Sequence, residues 1–166
     1  MRLSSPEPLR EEHQTDSFDS GERVLDDWLR RRARMNQASG ASRTYVVCEG
    51  RRVVAYYALA SGAIAHAAAP GRVRRNTPDP IPVVVLARLA VDRNYQGRGI
   101  GRALFRDAAR RVLQAADTIG IRAIVVHAIS EEAGEFYLAL GFEPSPAEAM
   151  TLLVTLRDVQ AALEPR

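Results

Sequence analysis

A glycine-rich segment is the part of this sequence whose residue types and spacing most directly suggest chemistry. Residues 96–101 read Gln-Gly-Arg-Gly-Ile-Gly, and they stand between an apolar run at 83–91 and a long helical pattern that begins near Arg102. A strand that ends in such a turn and opens a helix directs several backbone N–H groups, and the positive end of the helix dipole, at one point. The segment therefore predicts a site for a phosphate group.

Two well-known phosphate-binding loops do not fit these residues. A dinucleotide-binding fingerprint requires Gly-x-Gly-x-x-Gly and an acidic residue about 20 positions later, whereas the glycines here are Gly97, Gly99 and Gly101. A P-loop requires a lysine after its last glycine, and the sequence contains no lysine. From spacing alone, an ordinary strand-to-helix turn with glycines for tight packing stays open as the alternative.

Size and composition limit the classes of protein to consider. With 166 residues, 46% of them hydrophobic and 26% charged, the chain is expected to form a single domain over residues 1–166. The apolar stretches are too short to span a membrane and the N-terminus lacks the apolar core of a secretory signal, so we expect a cytoplasmic protein without membrane contact. The single cysteine, Cys48, stands in a strand pattern and is expected to be a buried structural thiol.

The positive charge of the chain comes from arginine, apart from three histidines, and the formal net charge is +3. Arginine suits planar, bidentate contacts with phosphate, so its clusters make a large polyanion a candidate partner. Solvated helix surfaces are the alternative for the same residues. His66 and His127 lack the spacing of metal ligands, so no metal site is predicted.

The predicted elements begin with a helix and a hairpin. The helix is expected over residues 22–36, with Asp19 or Ser20 capping its first amides. Its expected buried face consists of Val24, Leu25, Trp28 and Leu29. Two apolar runs, at 43–48 and 53–60, then indicate a β-hairpin.

The rest of the chain alternates between strand and helix patterns. The proline- and arginine-rich stretch 70–82 has no periodicity and is expected to be a functional loop. The further expected elements are strands at 83–91, 123–129 and 151–156 and helices at 99–119 and 131–140. Their order predicts an α/β protein with a mixed sheet.

The pattern Gln-x-x-Gly-x-Gly, formed by Gln96, Gly99 and Gly101, resembles the acyl-coenzyme A pyrophosphate loop of the GNAT N-acetyltransferase superfamily. The resemblance implies acetyl-CoA as cofactor and the GNAT fold, a central mixed, mostly antiparallel sheet flanked by helices on both faces. Glycines in this loop let the backbone approach the pyrophosphate, and backbone amides donate to its oxygens. The implied cofactor-binding residues are Leu89, Ala90, Val91, Gln96, Gly97, Arg98, Gly99, Ile100, Gly101, Ser130, Ala133 and Phe136.

A second segment, Phe-Tyr-x-x-x-Gly-Phe at 136–142, resembles the GNAT helix whose tyrosine lies near the thioester sulfur. This implies that Tyr137 is the general acid that protonates the departing thiolate, although a tyrosine packed on the sheet is the alternative. A phenol has an ordinary pKa of about 10 and so keeps its proton at neutral pH. No carboxylate stands out as a general base, because Glu131 and Glu132 are explained by the dipole of the helix they begin.

Residues from about 18 to 156 also resemble a narrower group, the GNAT toxins of toxin–antitoxin pairs of the TacT and AtaT type. The matching stretches are 18–29, 39–44, 80–83, 88–92 and 128–133. This resemblance implies acetylation of the α-amine of aminoacyl-tRNA, which blocks translation, and a homodimer neutralised by a ribbon-helix-helix antitoxin that alone contacts DNA. The implied tRNA-binding residues are Arg30, Arg31, Arg34, Arg72, Arg74, Arg75 and Arg88.

Two other functions are compatible with the same motifs. The first is acetylation of a protein N-terminus or of a small-molecule amine by the same chemistry. The second is a degenerate acyltransferase that acts mainly as an antitoxin-bound repressor.

Overall fold

The computed structural model describes residues 2–163, which form seven strands, six α-helices and two short 3-10 turns. The strands are β1 (Glu7–Pro8), β2 (Arg43–Glu49), β3 (Arg52–Ile64), β4 (Ile81–Val91), β5 (Ala123–His127), β6 (Glu143–Pro144) and β7 (Thr151–Thr155). The helices are α1 (Arg23–Arg31), α2 (Ala33–Ser39), α3 (Gly71–Arg74), α4 (Ile100–Ala115), α5 (Glu131–Ala139) and α6 (Leu156–Leu163).

The strands are joined by hydrogen bonds in the order β1-β2-β3-β4-β5-β7-β6. β4 and β5 pair in parallel, whereas β1 with β2, β2 with β3, β5 with β7 and β6 with β7 pair in the antiparallel sense. The predicted α/β class with a mixed, mostly antiparallel sheet is therefore confirmed.

By their internal contacts the residues group into two compact units, each with its own core. The first unit comprises residues up to Ala60 together with Ala87–Ala108, and the second comprises Ser61–Leu86 together with the chain from Ala109 onward. The expectation of one domain over residues 1–166 stays a prediction.

The core of the first unit lies between α1 and the β2–β3 hairpin. Tyr56 on β3 is fully buried, and its ring packs edge-on against Phe18 and stacked on Trp28, with centroids 5.5 and 6.0 Å away. Its hydroxyl donates a 2.6 Å hydrogen bond to the Leu25 carbonyl, which satisfies a buried polar group. Leu29 is also fully buried, so the hairpin and the apolar stripe of α1 cover each other.

The core of the second unit surrounds β5 and β7. These strands pair from Ala123 opposite Thr155 to His127 opposite Thr151. Residues 123–126 are buried without alternation, as expected of a strand covered on both faces. In the same unit Gly62 is required by close approach, since a Cβ at this position would lie 2.9 Å from Cγ2 of Val85.

The N-terminal helix differs from the expectation in three respects. It is divided into α1 and α2 at Arg32, where φ is −119°, although no proline or glycine marks this position. Its cap is Glu22, without a side-chain hydrogen bond, so the prediction that Asp19 or Ser20 caps the helix is wrong. Val24 is 66% exposed, so its predicted burial is also wrong.

The other differences concern short elements and ends of elements. The expected loop at 70–82 contains α3, and β4 already begins within it at Ile81. The predicted helix at 99–119 ends at Ala115, and the predicted strand at 123–129 ends at His127. The sequence analysis did not predict β1, β6 or α6.

Candidate functional site

The glycine-rich loop joins β4 to α4, and its backbone path requires glycine. Gly97 and Gly99 have φ values of 79° and 80°, in the left-handed region that glycine adopts without steric cost. A Cβ placed on either residue would meet no atom within 4 Å. These glycines therefore serve the path of the chain, and the space beside them is open to a ligand.

The amides of this loop are available to an anion. The first intrahelical bond of α4 runs from the Ala103 N–H to the Gly99 carbonyl at 3.1 Å. The N–H groups of residues 100–102 therefore belong to a first helical turn and have no acceptor inside the helix. Residues 96–99 are exposed. This geometry fits a phosphate or pyrophosphate group at a helix N-terminus.

The side chain of Gln96 holds the loop in place. Its Nε2 donates to the carbonyl of Ser20 at 2.9 Å and to the carbonyl of Val91 at 2.8 Å. Its backbone N–H donates to the Arg93 carbonyl at 3.4 Å, so the amides left for a ligand begin at Gly97. Gln96 is thus a positioning residue in this structure.

A segment far away in the sequence supports the same loop. The Arg93 N–H donates to the Asp19 carbonyl at 2.8 Å, and the Arg93 guanidinium lies 3.1 Å from the Asp19 carboxylate. The buried carboxylate of Asp92 accepts hydrogen bonds from the N–H groups of Asp19 at 3.1 Å and Asn94 at 3.0 Å. Asp19 therefore helps to anchor the loop, a role that the sequence analysis missed.

Arg98 is the cationic side chain of the loop, and an aromatic ring orients it. Its guanidinium lies 5.1 Å from the centroid of the Tyr95 ring and donates to the Asn94 carbonyl at 3.1 Å. Tyr95 is buried; its hydroxyl accepts a 2.6 Å bond from Arg52 and donates to Glu49. The aromatic residue just before Gln96 is the sequence signal that could have revealed this support.

The candidate general acid lies on α5 in the second unit. Tyr137 is buried between the rings of Phe136 and Phe142, with centroids 5.1 and 5.4 Å away. Burial raises the pKa of Tyr137 above its ordinary value. Among the described residues its hydroxyl has no hydrogen-bond partner. This phenol is therefore protonated at neutral pH, and its part as the general acid stays a prediction.

The remaining predicted cofactor residues lie on β4 and at the start of α5. Leu89 and Val91 are half-buried and Ala90 is buried on β4. Ser130 is the N-cap of α5 and accepts a 3.1 Å hydrogen bond from the Ala133 N–H. Their part in binding a cofactor stays a prediction.

Three of the four predicted tRNA-binding arginines in the first unit have contacts within the protein. Arg30 donates to the Phe18 carbonyl at 2.8 Å and to Asp27 at 3.1 Å. Arg34 donates to the His13 carbonyl. Arg88 lies 5.2 Å from the Trp28 ring centroid, and its Nε is buried without a hydrogen-bond partner in the described residues. The fourth, Arg31, is exposed.

The three predicted tRNA-binding arginines of the second unit are exposed. Arg72 forms a bidentate pair with the Asp158 carboxylate, with N–O distances of 2.7 and 2.6 Å. This pairing lowers the pKa of Asp158 and raises that of Arg72. Arg74 and Arg75 make no ion pair within residues 2–163.

The two noted histidines have structural contacts. The His66 Nε2 lies 2.7 Å from the Pro78 carbonyl, and the His127 Nδ1 lies 3.0 Å from the Thr151 hydroxyl. Within the described chain, no three His, Cys, Asp or Glu side chains are grouped so that they could hold a metal ion. Likewise, no helix in that part of the chain has the length and apolarity needed to cross a membrane.

Solved structures of a toxin from a toxin–antitoxin pair resemble this chain. AtaT complexed with acetyl-methionyl-tRNAfMet has a TM-score of 0.90 at 29% identity, covering 98% of this chain and 100% of that one. A tyrosine-to-phenylalanine variant of the AtaT toxin, bound to the C-terminus of the antitoxin AtaR and acetyl-CoA, has a TM-score of 0.84 at 28% identity, with coverages of 98% and 99%. The AtaT–AtaR complex bound to DNA has a TM-score of 0.77 at 28% identity, with coverages of 99% and 100%.

Sequence comparison gives the same family. The chain is 53% identical over 160 residues to a tRNA-acetylating toxin of Mycobacterium tuberculosis, with 96% of each chain covered. Residues 40–144 match the acetyltransferase (GNAT) domain. The predictions of an acyltransferase and of acetyl-CoA as its cofactor are confirmed, and the chain belongs to the GNAT acetyltransferase family.

Proposed function

We propose that this enzyme acetylates the α-amine of aminoacyl-tRNA and thereby blocks translation, as the toxin of a toxin–antitoxin pair. The similarity to the tRNA-acetylating toxin, 53% identity across nearly all of both chains, is the observation that carries the proposal. The resemblance to AtaT complexed with acetyl-methionyl-tRNAfMet supports an aminoacyl-tRNA as the substrate.

The loop between β4 and α4 binds the pyrophosphate of acetyl-CoA through the amides of Gly97 to Arg102. The open space beside Gly97 and Gly99 fits such a group, because no protein atom would have to move. Arg98, held over the Tyr95 ring, adds a positive charge to this loop. Acetyl-CoA supplies the acyl group as a thioester.

Transfer needs a neutral amine, a polarised carbonyl and a proton for the departing thiolate. The bond from the amine nitrogen to the acyl carbon forms while the carbon–sulfur bond breaks. Tyr137 donates its proton to the thiolate sulfur, and amides of residues 89–91 on β4 stabilise the oxyanion. The attacking nitrogen loses one proton to water as the amide forms, and water returns a proton to the Tyr137 phenolate. The α-amine of an aminoacyl ester is less basic than a lysine amine, so a neutral fraction attacks without a carboxylate base.

The tyrosine assignment agrees with its environment. Burial raises the pKa of Tyr137, so the phenol holds its proton at neutral pH. The AtaT variant solved with acetyl-CoA also has a tyrosine replaced by phenylalanine.

Solved structures of AtaT with tRNA and with an antitoxin support tRNA and an antitoxin as partners. Three of the arginines named above are exposed and form no ion pair within residues 2–163. These three, Arg31, Arg74 and Arg75, bind tRNA phosphates, which makes affinity for tRNA sensitive to salt. A ribbon-helix-helix antitoxin neutralises the enzyme and is the component that contacts DNA. The enzyme itself is a cytoplasmic homodimer.

The decisive experiment supplies purified enzyme with labelled acetyl-CoA and three acceptors in parallel. These are total charged tRNA, the same tRNA after deacylation, and a mixture of a peptide with a free N-terminus and a polyamine. We expect label only in charged tRNA, and we expect alkaline hydrolysis to release it as acetyl-amino acid. Label in peptide or polyamine but not in charged tRNA would overturn the proposed substrate. A complete lack of turnover would favour the degenerate, repressor-like alternative.

A further inference from the structure

The second unit contains a cavity of about 340 Å³ that the transfer chemistry does not use. It lies among α3, the residues just before β5, and the junction of β7 with α6. Its charged and amide side chains are Arg72, Arg75, Arg122, Arg157, Asp158 and Asn76. Val73, Ile121 and Leu156 supply apolar lining. The sequence analysis assigned no role to Arg122, Arg157 or Asp158.

The charge of this cavity is not balanced within the protein. Four guanidinium groups line it and one carboxylate accompanies them. Asp158 pairs with Arg72 through two N–O contacts of 2.7 and 2.6 Å, and Arg157 attracts the same carboxylate more weakly. The other three arginines have no ion-pair partner within residues 2–163. Because like charges repel, an anion bound among them is favoured.

Backbone hydrogen bonds hold Arg122 and Asp158 in place at this cavity. The Arg122 N–H donates to the Pro82 carbonyl at 2.9 Å, and the Arg122 carbonyl accepts from Leu156 at 3.2 Å. The Asp158 N–H is capped by the Thr155 hydroxyl at 3.1 Å. A site on fixed backbone loses little entropy on binding.

The cavity is separated from the candidate acid along β5. Arg122 directly precedes this strand, whereas Tyr137 lies on the helix that follows its other end. The strand runs from Ala123 to His127, and at about 3.3 Å per residue its ends are about 13 Å apart. A group bound in the cavity is therefore not the reacting amine.

We propose that this cavity is a phosphate subsite for the RNA substrate, in which Arg75, Arg122 and Arg157 contact neighbouring backbone phosphates. The inference rests on the proposed tRNA substrate and adds to it a contact remote from the amine. Asp158 lowers the affinity of the cavity for phosphate, because it neutralises the charge of Arg72.

Two variants with opposite expected effects test the subsite. In Arg122→Gln/Arg157→Gln, loss of two phosphate contacts should reduce the slope of log affinity against log salt by about 1.5. At low salt the Kd for fluorescently labelled tRNA should rise on the order of tenfold, and KM should rise while kcat stays unchanged. In Asp158→Asn, the released Arg72 should tighten tRNA binding and increase the slope by about 0.8.

The matched control is Arg106→Gln/Arg110→Gln, which removes the same charge from two exposed positions on α4. Thermal melting verifies that each variant folds. If a double variant does not fold, the single variant Arg75→Gln, at an exposed side chain, is measured in its place. If the cavity variants match the control in Kd and salt slope while the wild type acetylates charged tRNA, the subsite is wrong and the proposed function stands. If they bind tRNA normally but lose affinity for the antitoxin, the cavity serves a protein partner and the RNA assignment is overturned.

The proposed function can also fail while the phosphate subsite stands. If the wild type does not acetylate charged tRNA, the proposed function fails. The Kd for labelled tRNA still tests whether the cavity binds phosphate. Loss of RNA affinity in Arg122→Gln/Arg157→Gln would then support a phosphate subsite without the tRNA chemistry. Unchanged RNA affinity would refute it.

Discussion

Replacing Gln96 by leucine tests whether the side chain of this residue, rather than its backbone, prepares the cofactor loop. Leucine has a similar size but no donor, so Gln96→Leu removes the hydrogen bonds to the carbonyls of Ser20 and Val91. Each such bond contributes about 0.5–1.5 kcal/mol net. Because Gln96 is exposed and water can replace part of the loss, we expect a total of about 1–2 kcal/mol.

This free energy should appear in cofactor affinity. A loop that is no longer held must be ordered when acetyl-CoA binds, so the Kd should rise about 5–30-fold, at tenfold for every 1.4 kcal/mol. Gln96→Glu should be worse than Gln96→Leu, since its carboxylate faces two carbonyl oxygens and an anionic ligand. Isothermal titration calorimetry with acetyl-CoA measures both.

The matched control is Gln114→Leu, at an exposed glutamine on α4. It should leave both acetyl-CoA affinity and melting temperature unchanged. An acetyl-CoA Kd for Gln96→Leu within about twofold of wild type, which corresponds to about 0.4 kcal/mol, would refute the assigned positioning role.

Three further predictions concern single side chains. Tyr137→Phe should bind acetyl-CoA normally but lose about 100-fold or more in kcat, since general acid catalysis contributes this much; full turnover would remove the tyrosine from the mechanism. Tyr56→Phe should reduce the free energy of unfolding by about 0.5–1.5 kcal/mol in urea titrations, because it removes the buried hydrogen bond to the Leu25 carbonyl; an unchanged midpoint would contradict this. Burial raises the pKa of Cys48 from 9.0 to about 11, so the native state holds the thiol proton more tightly. The free energy of unfolding should therefore fall between pH 9 and 11, by about 2–3 kcal/mol more in wild type than in Cys48→Ala. Equal pH profiles of the two proteins would contradict this prediction.

Local sequence patterns predicted the parts of the site that depend on neighbouring residues. The positive φ of Gly97 and Gly99 favours glycine, so the loop's own residues determine its backbone path. The apolar run around Cys48 likewise acts within a few positions. The hairpin, the α5 helix and the buried thiol were therefore predictable.

Contacts between distant segments were not predictable in the same way. Arg122 and Asp158 come together because β5 pairs with β7, with Ala123 opposite Thr155, and this register depends on burial of both strands. The helix break at Arg32 has no glycine or proline to mark it, so tertiary packing decides it. Val24 fits an apolar stripe by spacing but is left uncovered by the hairpin.

The ion pair between Asp19 and Arg93 makes two stretches of the gene, 74 positions apart, genetically dependent on each other. Substitutions at Asp19 should reduce acetyl-CoA affinity although the residue stands outside the glycine motif. Because both side chains are more than half exposed, the pair contributes at most about 1 kcal/mol, so the Kd should rise by about fivefold at most. Compensating changes at Arg93 should arise as suppressors of some substitutions at Asp19, and related genes should show the two positions varying together.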